Sequence, residues 1–182
     1  MGRYGARGPL IIGPLITAVG FVLFATPTVG ESYWKAFFPA VIIVGFGMAV
    51  TVAPLTTVVM SSVPQDRAGT ASGINNAVAR VAGVLAIAVL GIIMVTAFGS
   101  RLRQSLGHTS LPPEIVQQLQ ANTSKLGALQ SPSGVDDQTR AAIQGSIREA
   151  FVFGFRIVML ICAGLSVVSA GISWVYIASG RG

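Results

Sequence analysis

The sequence predicts an all-α membrane protein: four transmembrane helices, with a long polar loop that holds short amphipathic helices ahead of the last of them. Three observations carry that prediction. The 182 residues are 52% hydrophobic and only 10% charged, where a soluble domain carries roughly a quarter charged residues, so a water-exposed surface could not be kept polar. Four apolar stretches, at about 9–26, 36–60, 71–98 and 151–177, approach or exceed the roughly 20 residues that cross ~30 Å of hydrocarbon at ~1.5 Å per residue. The six acidic residues, Glu31, Asp66, Glu114, Asp136, Asp137 and Glu149, all lie in the connections. Residues 1–182 therefore read as a single transmembrane region.

The first span is short, and Gly13-Pro14 near its start weakens or bends it. Arg3 and Arg7 ahead of the apolar residues 10–25 would suit a secretory signal, but that run is longer than a signal core and three more spans follow. The second span is long enough to tilt, and Pro54 leaves the carbonyl of Val50 without its usual intrahelical partner. Neighbouring helices can cover such a freed group. The connections 28–33 and 61–70 are short, so the helices they join are expected to lie antiparallel and in contact. Tyr33 and Trp34 before the second span, and Trp174 and Tyr176 near the end of the fourth, sit where amphipathic rings anchor at a membrane interface.

The segment 99–150 is long and polar. Its "LPPEIVQQLQAN" places prolines where a helix can start, follows them with Glu114, and sets Ile115 and Leu119 four apart. Its "SGVDDQTRAAIQGSIREAF" opens with Asp136 and Asp137 near a helix start, and Ile143, Ile147 and Phe151 form one apolar face that runs on into the fourth span. Two short amphipathic helices on the membrane surface, or capping the bundle, are expected; the competing reading is a mobile loop with transient helix.

The third span opens polar, with Asn75, Asn76 and Arg80. On a helix Ser72, Asn76, Ala79, Gly83 and Ala86 share one face, and small residues let helix backbones approach in lipid while amides bond across the contact. That face is expected to meet a neighbour. The second span offers Gly45, Ala49 and Ala53 as a matching ladder, with Thr51, Thr56 and Thr57 as hydroxyl partners. A permanent charge facing hydrocarbon at Arg80 costs a few kcal/mol or more, which leaves two roles open: an arginine reaching the headgroups, or one lining a transport path or cytoplasmic gate. The asparagines read as interhelical glue rather than substrate ligands. Arg156 is expected to reach the interface.

Several chemistries find no support. The net charge of +6 is scattered between apolar runs, with Arg3, Arg7, Lys35, Arg67, Arg101, Arg103 and Arg181 near span ends, where lipid headgroups rather than nucleic acid are the neighbours. His108 is the only histidine and Cys162 the only cysteine, so no metal site is expected. "GFGMAV" at Gly45 lies in an apolar run too long for a dinucleotide-binding turn. No nucleophile has a base arranged beside it, so no enzyme and no cofactor are expected.

Two places carry a resemblance. The stretch "APLTTVVMSSVPQDRAGTASGINNAVARVAGVLAIAVLG", from Ala53 to Gly91, resembles the penultimate helix pair of the fourteen-span drug:proton antiporters of the major facilitator superfamily. Ala-Pro-Leu-Thr around Pro54, the Val-Pro turn, the Ala-Gly-x-Ala-Ser-Gly run that holds Gly69 and Gly73, and the Asn-x-x-x-Arg step from Asn76 to Arg80 occur in order. At the front, "RYGARGPL" resembles the second part of that superfamily's cytoplasmic loop motif, with Arg3, Gly5 and Arg7 in place and Gly2 where Asp is expected, so the chain begins in mid-motif.

The resemblance covers nearly all of this chain and about the last third of such a transporter. It implies spans eleven to fourteen of a carboxy-terminal bundle, a cytoplasmic amino end and 61–70 turn, and an external long loop. The charge count does not cleanly support this orientation, since Lys35, Arg101, Arg103, Arg140 and Arg148 would lie outside; the motif is given the greater weight. The function implied is part of a proton-coupled multidrug efflux transporter in the cell membrane (inner or plasma membrane), exporting small hydrophobic or cationic drug-like compounds by alternating access. Its partners would be membrane lipid and the missing amino-terminal spans, which would hold the coupling carboxylates absent here. Arg3, Gly5, Arg7, Pro54, Asn76 and Arg80 are the transport-motif or gate candidates, and Gly45, Ala49, Ala53, Gly69, Gly73, Ala79 and Gly83 the packing candidates. The alternative from another class is a four-span membrane scaffold or assembly subunit that transports nothing. An independent small pump is disfavoured by the lack of an intramembrane carboxylate.

Overall fold

Residues 7–107, 112–129 and 136–179 are described by a computed structural model, with the side chains of residues 7, 113 and 177–179 excepted. Arg3, Gly5, His108 and Arg181 lie outside the described residues. The elements are α1 (Arg7–Phe24), α2 (Tyr33–Ala36), α3 (Phe38–Ser61), α4 (Ala68–Leu106), α5 (Pro113–Ala121) and α6 (Asp137–Ser179), with 3-10 turns at Gln65–Arg67 and Thr123–Ala128. Among the described residues every regular element is helical. Three helical stretches, Tyr33–Ser61, Gln65–Leu106 and Asp137–Tyr176, are long and apolar enough to cross a membrane, and Gly8–Phe24 is a shorter apolar helix.

The long helices overrun the expected spans. α4 has 39 residues and α6 has 43, so at ~1.5 Å per residue each is roughly twice as long as hydrocarbon is thick. Proline placement permits this: all nine prolines fall outside both helices, and nothing else in either one forces a break. The second short helix expected in 99–150 is therefore the first part of α6, and the segment's beginning is the last part of α4. Among the described residues of that segment, α5 is the α-helix that stands apart from α4 and α6.

The chain forms two compact units. The first comprises residues up to Pro27, Glu31–Ile87 and those from Met159 onward. In it α1 packs on α3 through glycines. A Cβ built on Gly47 would lie 2.6 Å from the backbone N of Thr17 and 2.8 Å from the carbonyl O of Gly13, and one on Gly20 would lie 2.9 Å from the N of Val44. No side chain fits in that space, so the small residues serve close backbone approach. The ladder expected from Gly45, Ala49 and Ala53 is not the one that packs: all three are exposed, and a Cβ on Gly45 would meet nothing. Gly45 is two residues from Gly47, which at 3.6 residues per turn places it about 200° round the helix.

The hydroxyls expected to reach across to the asparagines bond within their own helix instead. Thr51 donates to the carbonyl of Gly47 (2.8 Å), Thr56 to Val52 (2.9 Å) and Thr57 to Ala53 (3.0 Å). In an apolar medium the carbonyl four residues back is the nearest acceptor. At the start of α3 the rings of Tyr33 and Trp34 (6.0 Å), Tyr33 and Phe37 (6.0 Å), and Trp34 and Phe38 (5.1 Å) pack in series.

The second unit, Thr28–Gly30 with Ala88–Val158, holds a hydrophobic core of its own. Phe98, Leu102 and Leu106 on α4 recur every four residues, as do Ile143 and Ile147 on α6, and these side chains pack with Leu119, Leu129 and Ala150. All eight are buried. Nearby, a Cβ on Gly154 would lie 3.3 Å from the carbonyl of Met94, so α4 and α6 approach closely there. Arg101, Arg103, Arg140, Arg148 and Glu149 belong to the same stretches of helix, and such charges are not carried into hydrocarbon. What reads in the sequence as a polar loop is thus a small packed module whose apolar side faces inward.

α6 starts on a side-chain cap. The backbone N–H of Thr139 donates to Oδ2 of Asp136 (3.0 Å), and Arg140 pairs with Asp137 at 2.9 Å. These acceptor interactions satisfy or complement the unpaired N–H groups of the first turn.

Candidate functional site: the α3–α4 turn

Of the polar residues that open the third span, Asn75 stands beside one short connection, and none of the gate or packing candidates lines the cleft found there. α3 ends at Ser61, Pro64 precedes the 3-10 turn Gln65–Arg67, and α4 begins at Ala68. So short a link sets the last turn of α3 beside the first turns of α4. Between them lies a cleft of about 540 Å³, walled by Val58, Ser62 and Val63 on one side and by Arg67, Thr70, Ile74 and Asn75 on the other. The wall is mostly apolar, with Arg67 and Asn75 as its strongest polar groups, which is the make-up of a site that holds an apolar body and orients it by few polar contacts. No His, Cys, Asp or Glu lines it.

Adjacent asparagines take different places. Asn75 is half-buried and lines the cleft, whereas Asn76, a further ~100° round the helix, is exposed. Arg80 is exposed as well, and neither the Asn76 nor the Arg80 side chain makes a hydrogen bond or ion pair among the described residues. Arg67 Nε stands 3.9 Å from Asp66 Oδ2 with both side chains about three-quarters exposed (76% and 75%), a geometry that contributes little.

Arg7 is the first residue of α1, and Pro54 is half-buried inside α3. Gly69, Gly73 and Gly83 open onto empty space, and Ala79 is exposed. The α4 face Ser72, Asn76, Ala79, Gly83, Ala86 does not meet the face Gly45, Ala49, Ala53 within this chain, since every one of these residues except Ser72 is exposed. The large apolar residues around it are equally uncovered, from Ile74 (60%) through Val78 (62%) and Val84 (68%) to Ile87 (77%). Nothing in the sequence singles out Ser62 or Thr70, and Arg67 reads there only as one of the basic residues near span ends. The signal for them was the shortness of the turn, which brings any residues of the flanking helix ends together.

The sequence profile of the Major Facilitator Superfamily matches residues 1–107, the part that ends with α4. The chain belongs to the Major Facilitator Superfamily. It is similar to the tetracenomycin C resistance and export protein of Streptomyces glaucescens, with 24% identity over 94% of this chain and 32% of that protein. It is also similar to the multidrug resistance protein Stp of Mycobacterium tuberculosis, with 28% identity over 96% of this chain and 33% of that protein. A probable actinorhodin transporter of Streptomyces coelicolor is 27% identical over 58% of this chain. No solved structure matches. The chain spans about a third of the length of the first two relatives. As a member of this superfamily, with its long apolar helices, it is a multi-pass protein of the cell membrane.

Proposed function

We propose that this superfamily chain acts as the carboxy-terminal helices, spans eleven to fourteen, of a fourteen-span drug exporter, moving small hydrophobic or cationic compounds by alternating access. The observation that carries this reading is the exposure of α4. Between Ile74 and Ile87 its apolar side chains are uncovered, and its small-residue face opens onto empty space. Lipid could cover the apolar residues, but Asn76 and Arg80 on the same side would be costly there. Further helices of the same carrier would cover them, and the amide and guanidinium would then face a wet path between helix bundles. In this reading the α3–α4 cleft lies at the cytoplasmic end, where Asn75 and Arg67 flank the mouth of that path and Arg80 lies deeper along it.

Proton coupling in this reading relies on carboxylates outside this chain, because residues 38–61, 81–100 and 157–179 include no Asp or Glu. Ethidium accumulation in cells tests the proposal. Cells making this chain alone are expected to accumulate dye like controls, and cells making it joined to the reading frame that precedes it are expected to clear dye. Export by the chain alone would overturn the argument from the missing carboxylate. Failure of the longer product to export any of a panel of cationic and neutral drugs would favour a membrane scaffold.

A further inference from the structure

The second unit carries a groove that the transport reading does not use. It has a volume of about 730 Å³ and is lined by Val95, Thr96, Gly99, Arg103 and Gln104 of α4, with Thr123 of the 3-10 turn after α5. Val95, Gly99 and Arg103 follow one another at steps of four, so they share a face and the groove runs about 12 Å along the helix. Gly99 is buried at its middle, where a Cβ would stand 3.7 Å from Cγ2 of Thr123.

One end of the groove suits an anion. Arg103 is exposed, and its guanidinium makes no hydrogen bond, ion pair or ring contact among the described residues, which include all six acidic residues of the chain. No Asp or Glu lines the groove, so nothing on its wall balances that charge. Beside it, Oε1 of Gln104 already accepts from Arg101 Nη1 at 3.1 Å, which leaves the amide N–H groups of Gln104 to donate. Position identifies the anion. Val95 belongs to the uncharged residues 81–100 of α4, and Arg103 lies beyond them, so the groove passes from an apolar stretch into a charged one. At that boundary of a bilayer the abundant anions are phospholipid phosphates, which the guanidinium fork matches with paired hydrogen bonds.

We infer that this groove seats an anionic phospholipid such as phosphatidylglycerol, with its phosphodiester on Arg103 and the Gln104 amide and an acyl chain running past Gly99 to Val95. The hydroxyls of Thr96 and Thr123 make no hydrogen bond among the described residues and can donate to the ester carbonyls between headgroup and chain. Phosphatidylcholine fits less well, because its choline cation would sit beside Arg103 with no carboxylate on the wall to pair with it. Inorganic phosphate leaves the apolar end empty. The lipid would fix α4 at the membrane surface where it leaves the bilayer.

The test uses the 182-residue chain reconstituted in bilayers of equal parts phosphatidylglycerol and phosphatidylcholine, extracted in detergent, and assayed for the lipids that stay bound. Phosphatidylglycerol is expected to be enriched over phosphatidylcholine by roughly tenfold, the worth of one charge-assisted hydrogen bond. The enrichment should vanish in Arg103→Gln, persist in Arg148→Gln, which removes the same charge from an exposed position of α6 outside the groove, and resist excess inorganic phosphate. Ser100→Arg, which adds a second guanidinium at an exposed position on the groove wall, should raise it, an effect that misfolding would not produce. No enrichment in the parent chain, enrichment surviving in Arg103→Gln, equal loss in Arg148→Gln, a fall in Ser100→Arg, or displacement by inorganic phosphate would each overturn the assignment; the last would mark a site for free phosphate.

Discussion

Gly13 of α1 and Gly47 of α3 meet backbone to backbone, so closely that a Cβ on Gly13 would lie 3.0 Å from the carbonyl oxygen of Gly47 and one on Gly47 would lie 2.8 Å from that of Gly13. Neither helix could take another residue there and keep its place. The contact also aligns Thr17, whose hydroxyl donates to the Gly13 carbonyl at 3.0 Å, with the groove that Gly47 leaves open.

Gly47→Ala is therefore expected to destabilise the α1–α3 pair by about 1–3 kcal/mol, the usual range for overpacking a closed contact. Gly45→Ala, on the exposed side where a Cβ meets nothing within 4 Å, should leave it unchanged. Thermal loss of helicity in detergent would show the difference, and equal melting of the two variants would place the contact elsewhere.

Gly83→Leu behaves differently in two settings. Gly83 opens onto empty space in this chain, so the variant should melt like the parent when the chain is studied alone. In the chain joined to its preceding reading frame the new side chain would block close helix approach, and yield of folded transporter should fall, while Leu90→Ile should do little. A loss in the isolated chain would mean that the face is already covered within it.

The core of the second unit predicts a sharp contrast with the apolar residues of α4 that are not covered. Leu102→Ala or Ile147→Ala removes a side chain that is 0% or 3% exposed, and should cost about 2–5 kcal/mol through the cavity left behind. Amide hydrogen exchange would register it as lost protection across residues 98–106 and 143–150. Val84→Ala, at 68% exposure, should leave that protection intact.

Acid should loosen the start of α6. The Thr139 hydroxyl and then its backbone N–H hold the Asp136 carboxyl below its ordinary value of 3.8. A carboxylate with a depressed value contributes stability above the unfolded-state pKa, and that contribution fades as pH falls through the folded one. Protection of the first turn of α6 is thus expected to be full at neutral pH and to drop below about pH 4. In Asp136→Ala the turn should be frayed at every pH, with no such transition; a transition surviving in that variant would assign it to another carboxyl.

Much of the architecture was legible because it depends on each segment by itself. Hydrophobic length announced α3, α4 and α6, and Asp136 with Asp137 announced the start of α6. The Ala53–Gly91 motif led to the superfamily that the profile match establishes. The site was less legible. Asn75 and Asn76 are chemically identical neighbours, and only the direction of the α3–α4 turn assigns one of them to the cleft. Thr51, Thr56 and Thr57 could bond across or back along their helix, and the sequence is the same in both cases.

Sequence alone determined that this chain is helical and lives in a membrane, because a segment without enough polar groups for water must satisfy its own backbone, and in lipid a helix does so. Tertiary structure alone decided which small residues are contacts and what the long polar segment is. Gly45 and Gly47 lie on opposite sides of one helix, and the position of α1 selects between them. Likewise Leu102 and Ile147 become a core only where α4 and α6 run side by side, since burial is a property of two surfaces and each helix encodes just one.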